Sequence, residues 1–137
     1  MAPGLAELLI AGKEREYLDY FLDQHTHLMN PDAIDDASRA IWAAHLAEAC
    51  GVRGAIGWYR AVFEMGKQIR RISEDKLSLP VLGINGESGV PKVGQQMAAV
   101  AKNVNSKVVK DSGHFVAEER PVELVEQLEA FVDANRD

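Results

Sequence analysis

One cysteine, Cys50, is all that the 137 residues contain. That excludes an intrachain disulfide framework and fits a reducing, cytoplasmic setting, in which Cys50 is expected to be a buried structural thiol. A surplus of positive charge is missing too. Fifteen lysines and arginines against 21 acids leave a formal charge of −6, and the basic residues are scattered, so the cationic face that nucleic acid or an anionic membrane would require is absent. No apolar run approaches a membrane span. The stretch Leu5-Ala6-Glu7-Leu8-Leu9-Ile10-Ala11 is interrupted by Glu7 and lacks the basic start of a signal peptide. There is no repeat and no low-complexity segment. Gly83, Gly86 and Gly89 do not have Gly-x-Gly-x-x-Gly spacing and no Gly-Lys-Ser/Thr follows, so no phosphate or dinucleotide cradle, and no cofactor, is expected. His25-Thr26-His27 does not make a metal pair, because alternate residues at a helix end diverge by about 200° and no third ligand has suitable spacing.

What is present is 47% hydrophobic residues, enough for one domain with a core. The texture changes near Leu77-Ser78-Leu79-Pro80, dividing residues 1–76, a helical segment with a charged linker over 67–76, from an α/β part over 77–137. In the first part Tyr17, Leu18, Phe21 and Leu22 recur at helical spacing over about 13–23. A second helix is expected to open at Asn30-Pro31-Asp32, carry Ile34, Ala37, Ile41 and Ala44 on one stripe, and end at Cys50-Gly51. A third, from about Val52 to Met65, places Ile56, Tyr59, Val62 and Phe63 on a common face, with Gly66 ending it.

Beyond Pro80 the period changes. Val81-Leu82-Gly83-Ile84 reads as a strand buried on both faces, Val93, Met97, Val100 and Ala101 as a helix, residues 107–110 as a second strand, and Val122, Val125, Leu128 and Phe131 as a C-terminal helix with Pro121 at its first position. This order predicts a βαβα unit with parallel strands. Two parallel strands make a poor sheet alone, so this half calls for further strands. Between the second strand and the last helix lies Ser112-Gly113-His114-Phe115. A histidine just past a strand end is suited to moving protons near neutral pH.

This order of a helical segment, Leu79-Pro80-Val81-Leu82-Gly83-Ile84-Asn85-Gly86-Glu87, a helix, and then Ser112-Gly113-His114-Phe115 with Glu118-Glu119-Arg120-Pro121 behind it resembles the second half of an α/β-hydrolase of the epoxide hydrolase and haloalkane dehalogenase branch. The resemblance implies a partial α/β-hydrolase fold, with a helical cap segment followed by the βαβα part of the core. It assigns the catalytic histidine to His114 and the acid that orients it to Glu87, after the preceding strand, although aspartate is commoner there. Gly57-Trp58-Tyr59-Arg60 is similar to a late cap helix in which a tyrosine before arginine donates a hydrogen bond to an epoxide oxygen. That position is Tyr59, with Trp58 and Phe115 as pocket wall.

Hydrolases of this branch attack with aspartate on a Gly-x-Asp-x-Gly elbow, and related esterases use Gly-x-Ser-x-Gly. Neither pattern occurs here, since in Gly86-Glu87-Ser88-Gly89 the glycines stand one place too close. Early strands, a His-Gly oxyanion loop and the cap's earlier tyrosine are likewise not recognisable. The expected function is an epoxide hydrolase-like fragment acting on a small apolar epoxide, haloalkane or ester. It would work as a homo-oligomer or beside a partner chain that supplies the N-terminal half and its nucleophile. The alternative is a non-catalytic binding or assembly module.

Overall fold

The computed structural model describes residues 4–136. The side chain of His25 lies outside the described residues, and the His25-Thr26-His27 pair with it. Four helices come first: α1 (Leu5–Ile10), α2 (Glu14–His25), α3 (Asp36–Ala47) and α4 (Gly51–Ile72). Strand β1 (Leu77–Gly86), helix α5 (Val93–Ala98) and strand β2 (Ala101–Val109) follow, then α6 (Val116–Glu119) and α7 (Pro121–Asp133). The two strands are parallel, Val81 opposite Val104 and Gly86 opposite Val109, and helices precede and follow them. This is the partial α/β fold that the texture of the sequence implies.

Several boundaries move, each for a local reason. Asn30 and Pro31 open only a 3₁₀ turn, Pro31–Ala33, whose first free N–H, that of Asp32, donates to the Asn30 side chain at 3.2 Å. The chain then extends at Ile34, and Asp35 caps a fresh start, accepting from the Ser38 N–H at 2.8 Å. Two caps five residues apart thus divide what reads as one helix. The break also rotates the stripe: Ile34 turns into the core while Ala37, Ile41 and Ala44 face outward, and Trp42, Ala43 and Leu46 take the inner face. α3 stops at Ala47. Gly51 opens α4 instead of closing α3, because a Cβ there would collide with the carbonyl oxygens of His45 and Leu46. Cys50, expected to be buried, is exposed in this turn.

α4 runs 22 residues, through Gly66 and into the stretch that reads as a linker. A lone glycine in a helix costs only about 1 kcal/mol, and nothing after it forces a left-handed turn. Its expected inner face is also open, since Tyr59, Val62 and Phe63 are all exposed. β1 is longer than its apolar run, and its first four residues are exposed. Among the described residues only β2 pairs with it and only α5 packs closely on it, so it is not the doubly covered strand expected. Pro80 fits because in a sheet of two strands each has a free edge, and the register slips between Leu77 and Pro80. β2 begins at Ala101, read from sequence as helical. Its polar residues Lys102, Asn103, Asn105 and Ser106 hide it from apolar patterning.

The core sits between α2 and α3. Leu18, Leu22, Ile34 and Ala43 are buried together, with Leu28, Trp42, Leu46 and Phe115 against them. Phe115 is the link to the α/β part, its ring 5.6 Å from that of Trp42. Ion pairs reinforce the α2–α3 seam: Arg39 meets Asp19 at 3.0 Å and Asp23 at 3.1 Å. On the α/β side, Gly83 lets α5 settle on β1, where a Cβ would stand 3.2 Å from Val93 and 3.4 Å from Met97. No described helix is long and apolar enough to cross a membrane.

Candidate active site

Three loops interlock at the C-terminal ends of the strands. The first follows α2 (26–30), the second follows β1 (86–89), and the third follows β2 (110–115). Their contacts are mostly backbone to backbone, which is why two of the loops need glycine. A Cβ on Gly86 would strike the Gly113 carbonyl, and one on Gly113 would strike the carbonyl of His27. The Ser88 N–H donates to the Ser112 carbonyl at 3.1 Å, and the Ser88 hydroxyl donates to that of His27, also at 3.1 Å. The His114 N–H donates to the Thr26 carbonyl at 3.1 Å. His114 is therefore held by its backbone while its imidazole remains exposed at the surface of the loop cluster.

A carboxylate closes the cluster from beneath. Glu119, 4% exposed, accepts from the Gly113 N–H through Oε1 at 2.8 Å and from the Met29 and Asn30 N–H groups through Oε2 at 2.6 and 3.2 Å. Ser112 is fully buried beside it, and its hydroxyl has no hydrogen-bond partner among the described residues.

His114 lines a cavity of about 520 Å³ with Tyr17, Tyr20, Phe21, Thr26, Tyr59 and Val90. That volume suits a small molecule. The walls are largely aromatic, with the imidazole and the phenols as the polar groups. Burial raises the Tyr17 hydroxyl above its ordinary value, and the nearby Tyr59 phenol adds to the effect. The Tyr17 hydroxyl therefore stays protonated through the neutral range, as a hydrogen-bond donor to a developing oxyanion must.

The structure brings some of the expected site residues together and leaves others apart. His114 and Tyr59, 55 positions apart in the chain, share the cavity. Glu87 does not line it. Glu87 stands at the end of β1 on the adjoining loop, where its Oε2 accepts from the Asp111 N–H at 3.2 Å, bracing the turn in which Asp111 has φ of 50°. No hydrogen bond joins Glu87 to the imidazole among the described residues. Trp58 is exposed and away from the cavity. Phe115, expected on the pocket wall, packs on Trp42 and the helical core, its ring edge-on to His114 at 5.0 Å.

Tyr17 and Phe21 are site residues that the helical stripe presents only as core. Their rings stack at 6.4 Å and form the wall that α2 gives the cavity. A cavity of about 570 Å³ lies beside the N-terminal half of α4, lined among others by Glu7, Glu14, Arg53 and Arg60. There Arg60 donates to both oxygens of Glu7, at 2.7 and 2.8 Å, and holds its carboxyl down at about 2. The two charges satisfy each other and leave no free proton carrier between them.

No family model matches the chain. It is 25% identical over 129 residues to the soluble epoxide hydrolase of Corynebacterium sp. (strain C12), a match covering 94% of this chain and 45% of that protein. Among solved structures, wild-type Cfl2 from Burkholderia cenocepacia superposes with a TM-score of 0.85 at 37% identity, over 96% of this chain and 44% of that one. The epoxide hydrolase CorEH, solved without ligand, superposes with a TM-score of 0.84 at 24% identity, over 97% and 47%, a likeness of fold. The chain thus spans less than half the length of the relatives it matches. With its parallel strand–helix–strand order and its Ser112-Gly113-His114-Phe115 turn, the chain corresponds to the C-terminal half of an α/β-hydrolase of the epoxide hydrolase branch.

Proposed function

We propose that this chain supplies the proton-transfer and oxyanion-binding half of an epoxide hydrolase-type active site. The observation that carries the proposal is the shared cavity of His114 and Tyr59. Residues 1–76 act as the cap segment over the substrate, and residues 77–137 contribute the end of the core. An aspartate from outside these residues attacks an oxirane carbon, the C–O bond breaks, and an ester forms. Tyr59, with Tyr17 beside it, donates a hydrogen bond to the leaving oxygen and stabilises the alkoxide until it is protonated. His114 then takes a proton from water, hydroxide adds to the ester carbonyl, and the tetrahedral adduct collapses, expelling the diol oxygen, which takes the proton back from His114 and leaves the aspartate carboxylate free. Glu87 serves as the acid that steadies the imidazolium, using the carboxylate oxygen not committed to Asp111.

The substrate class is a small apolar electrophile, with epoxide ahead of haloalkane or ester because the phenols of Tyr17, Tyr20 and Tyr59 line the same cavity as the imidazole. The nucleophile comes from a partner segment. Open apolar residues on β1 and α4, among them Leu77, Leu79, Ile69 and Ile72, provide surface for that segment or for a second copy of this chain. The test is to co-express the chain with a core half bearing a Gly-x-Asp-x-Gly elbow and to assay epoxide opening. With His114→Ala the partner's aspartate should still be alkylated and the ester should accumulate, visible as an added mass on the partner. Turnover at the wild-type rate with no accumulation would refute the role of His114.

A further inference from the structure

Glu119 is a buried carboxylate that the proposed chemistry does not use. Burying an ionised carboxyl is costly unless its oxygens are satisfied, and among the described residues no lysine or arginine pairs with it. Its partners are three backbone N–H groups arriving from two directions. Gly113, bound to Oε1, is the residue before His114. Met29 and Asn30, bound to Oε2, belong to the loop whose Thr26 carbonyl receives the His114 N–H. One side chain thus fixes both backbones between which the histidine is held.

We infer that Glu119 is a positioning residue for His114. Its carboxylate joins the 26–30 and 112–114 loops so that the imidazole is presented to the cavity in one orientation. The inference rests on the reading of His114 as the proton carrier. Only a carboxylate of this length fits the task. It is acceptor-only on both oxygens, whereas glutamine has one acceptor and would turn an NH₂ toward a backbone N–H on one side. Aspartate keeps the charge but is one methylene too short to reach both loops.

The experiment is NMR on the full chain labelled at histidine, comparing wild type with Glu119→Gln and Glu119→Asp. The Cε1–Hε1 signal of His114 is the probe, and His45 at the end of α3 is the internal control. In each folded variant the His114 signal should shift or broaden while that of His45 stays in place. Amide exchange at Gly113 or at Met29 should quicken about tenfold. Val52→Ala, a buried position at the start of α4, should lower stability without moving the His114 signal. An unmoved His114 signal in a folded Glu119 variant would overturn the inference, as would an equal response in Val52→Ala. Failure of both Glu119 variants to fold would replace the positioning role with a purely structural one. Because the readout needs no turnover, a His114 response without hydrolysis in the co-expressed enzyme would refute the hydrolase reading alone.

Discussion

Replacing Gly113 by alanine tests the loop cluster, and replacing Gly57 by alanine provides the matching control. The same methyl group is added in both cases, with opposite expected signs. At Gly57, within α4, a Cβ meets nothing within 4 Å, so the variant gains the helix preference of alanine over glycine, about 0.5–1 kcal/mol. At Gly113 the added Cβ lands on the His27 carbonyl and stands 3.0 Å from the Glu119 carboxylate. Backbone cannot rotate away as a side-chain tip can, so the overlap alone costs about 1–3 kcal/mol. Relief by moving the loop weakens the Gly113-to-Glu119 and His114-to-Thr26 hydrogen bonds, a further roughly 1–3 kcal/mol for one charge-assisted and one neutral bond. The expected gap between the two variants is therefore about 2.5–7 kcal/mol. Urea unfolding followed by tryptophan fluorescence reads it, since Trp42 lies against Phe115 next to the loop. With an m-value of about 1–3 kcal/mol/M, the midpoints should separate by on the order of 2 M. Midpoints that coincide would mean that the three loops do not interlock in solution.

Leu22→Ala, at a position 1% exposed in the core, should cost about 2–5 kcal/mol in the same urea assay. Tyr59→Phe in the co-expressed enzyme should lower kcat for an epoxide by roughly 10–100-fold while an ester substrate, which needs no phenol on its leaving oxygen, is less affected. Tyr17, raised by burial, should ionise above the ordinary tyrosine value in an ultraviolet titration. Its folded state keeps a proton that the unfolded chain loses, so it withdraws stability as pH rises beyond its unfolded value near 10. Glu7 runs the other way: with its carboxyl lowered from 4.5 to about 2 by Arg60, its contribution is present above pH 4.5 and fades as pH falls toward 2. Carboxyl NMR should show the low titration of Glu7, and Arg60→Ala should return it to the ordinary range. An unchanged Glu7 titration in that variant would refute the pairing.

The βαβα order could be read along the chain because its cues are local. Pro80, the Val81–Ile84 run, the apolar repeat of the last helix and Pro121 at its start each act within a few residues. What escaped reading depends on partners distant in sequence. β2 extends six residues before Lys107 because β1 offers a ladder, and its polar side chains give no sign of that. Gly66 looks like a stop only until the residues after it are seen to continue the helix. In the site, His114 and Tyr59 stand out by their neighbours in sequence. Tyr17 and Phe21 do not, since a stripe that lines a cavity has the same spacing as one that fills a core. Glu119 was legible as part of a helix start. That it is buried, and which N–H groups it receives, followed only from the folded loops.

The bond from Met29 to Glu119 joins residues 90 positions apart, and this dictates when the site can come into being. Helices α2 and α3 need only near neighbours and can form within microseconds, whereas closing a loop of that length carries the entropic cost of a non-local contact. During synthesis the first loop leaves the ribosome long before Glu119 does, so the cavity wall of α2 precedes the histidine it will face. The loop cluster is thereby deferred until Glu119 has been made, and a nascent chain that stops short of it would have the aromatic wall but no clamp to hold the imidazole against it.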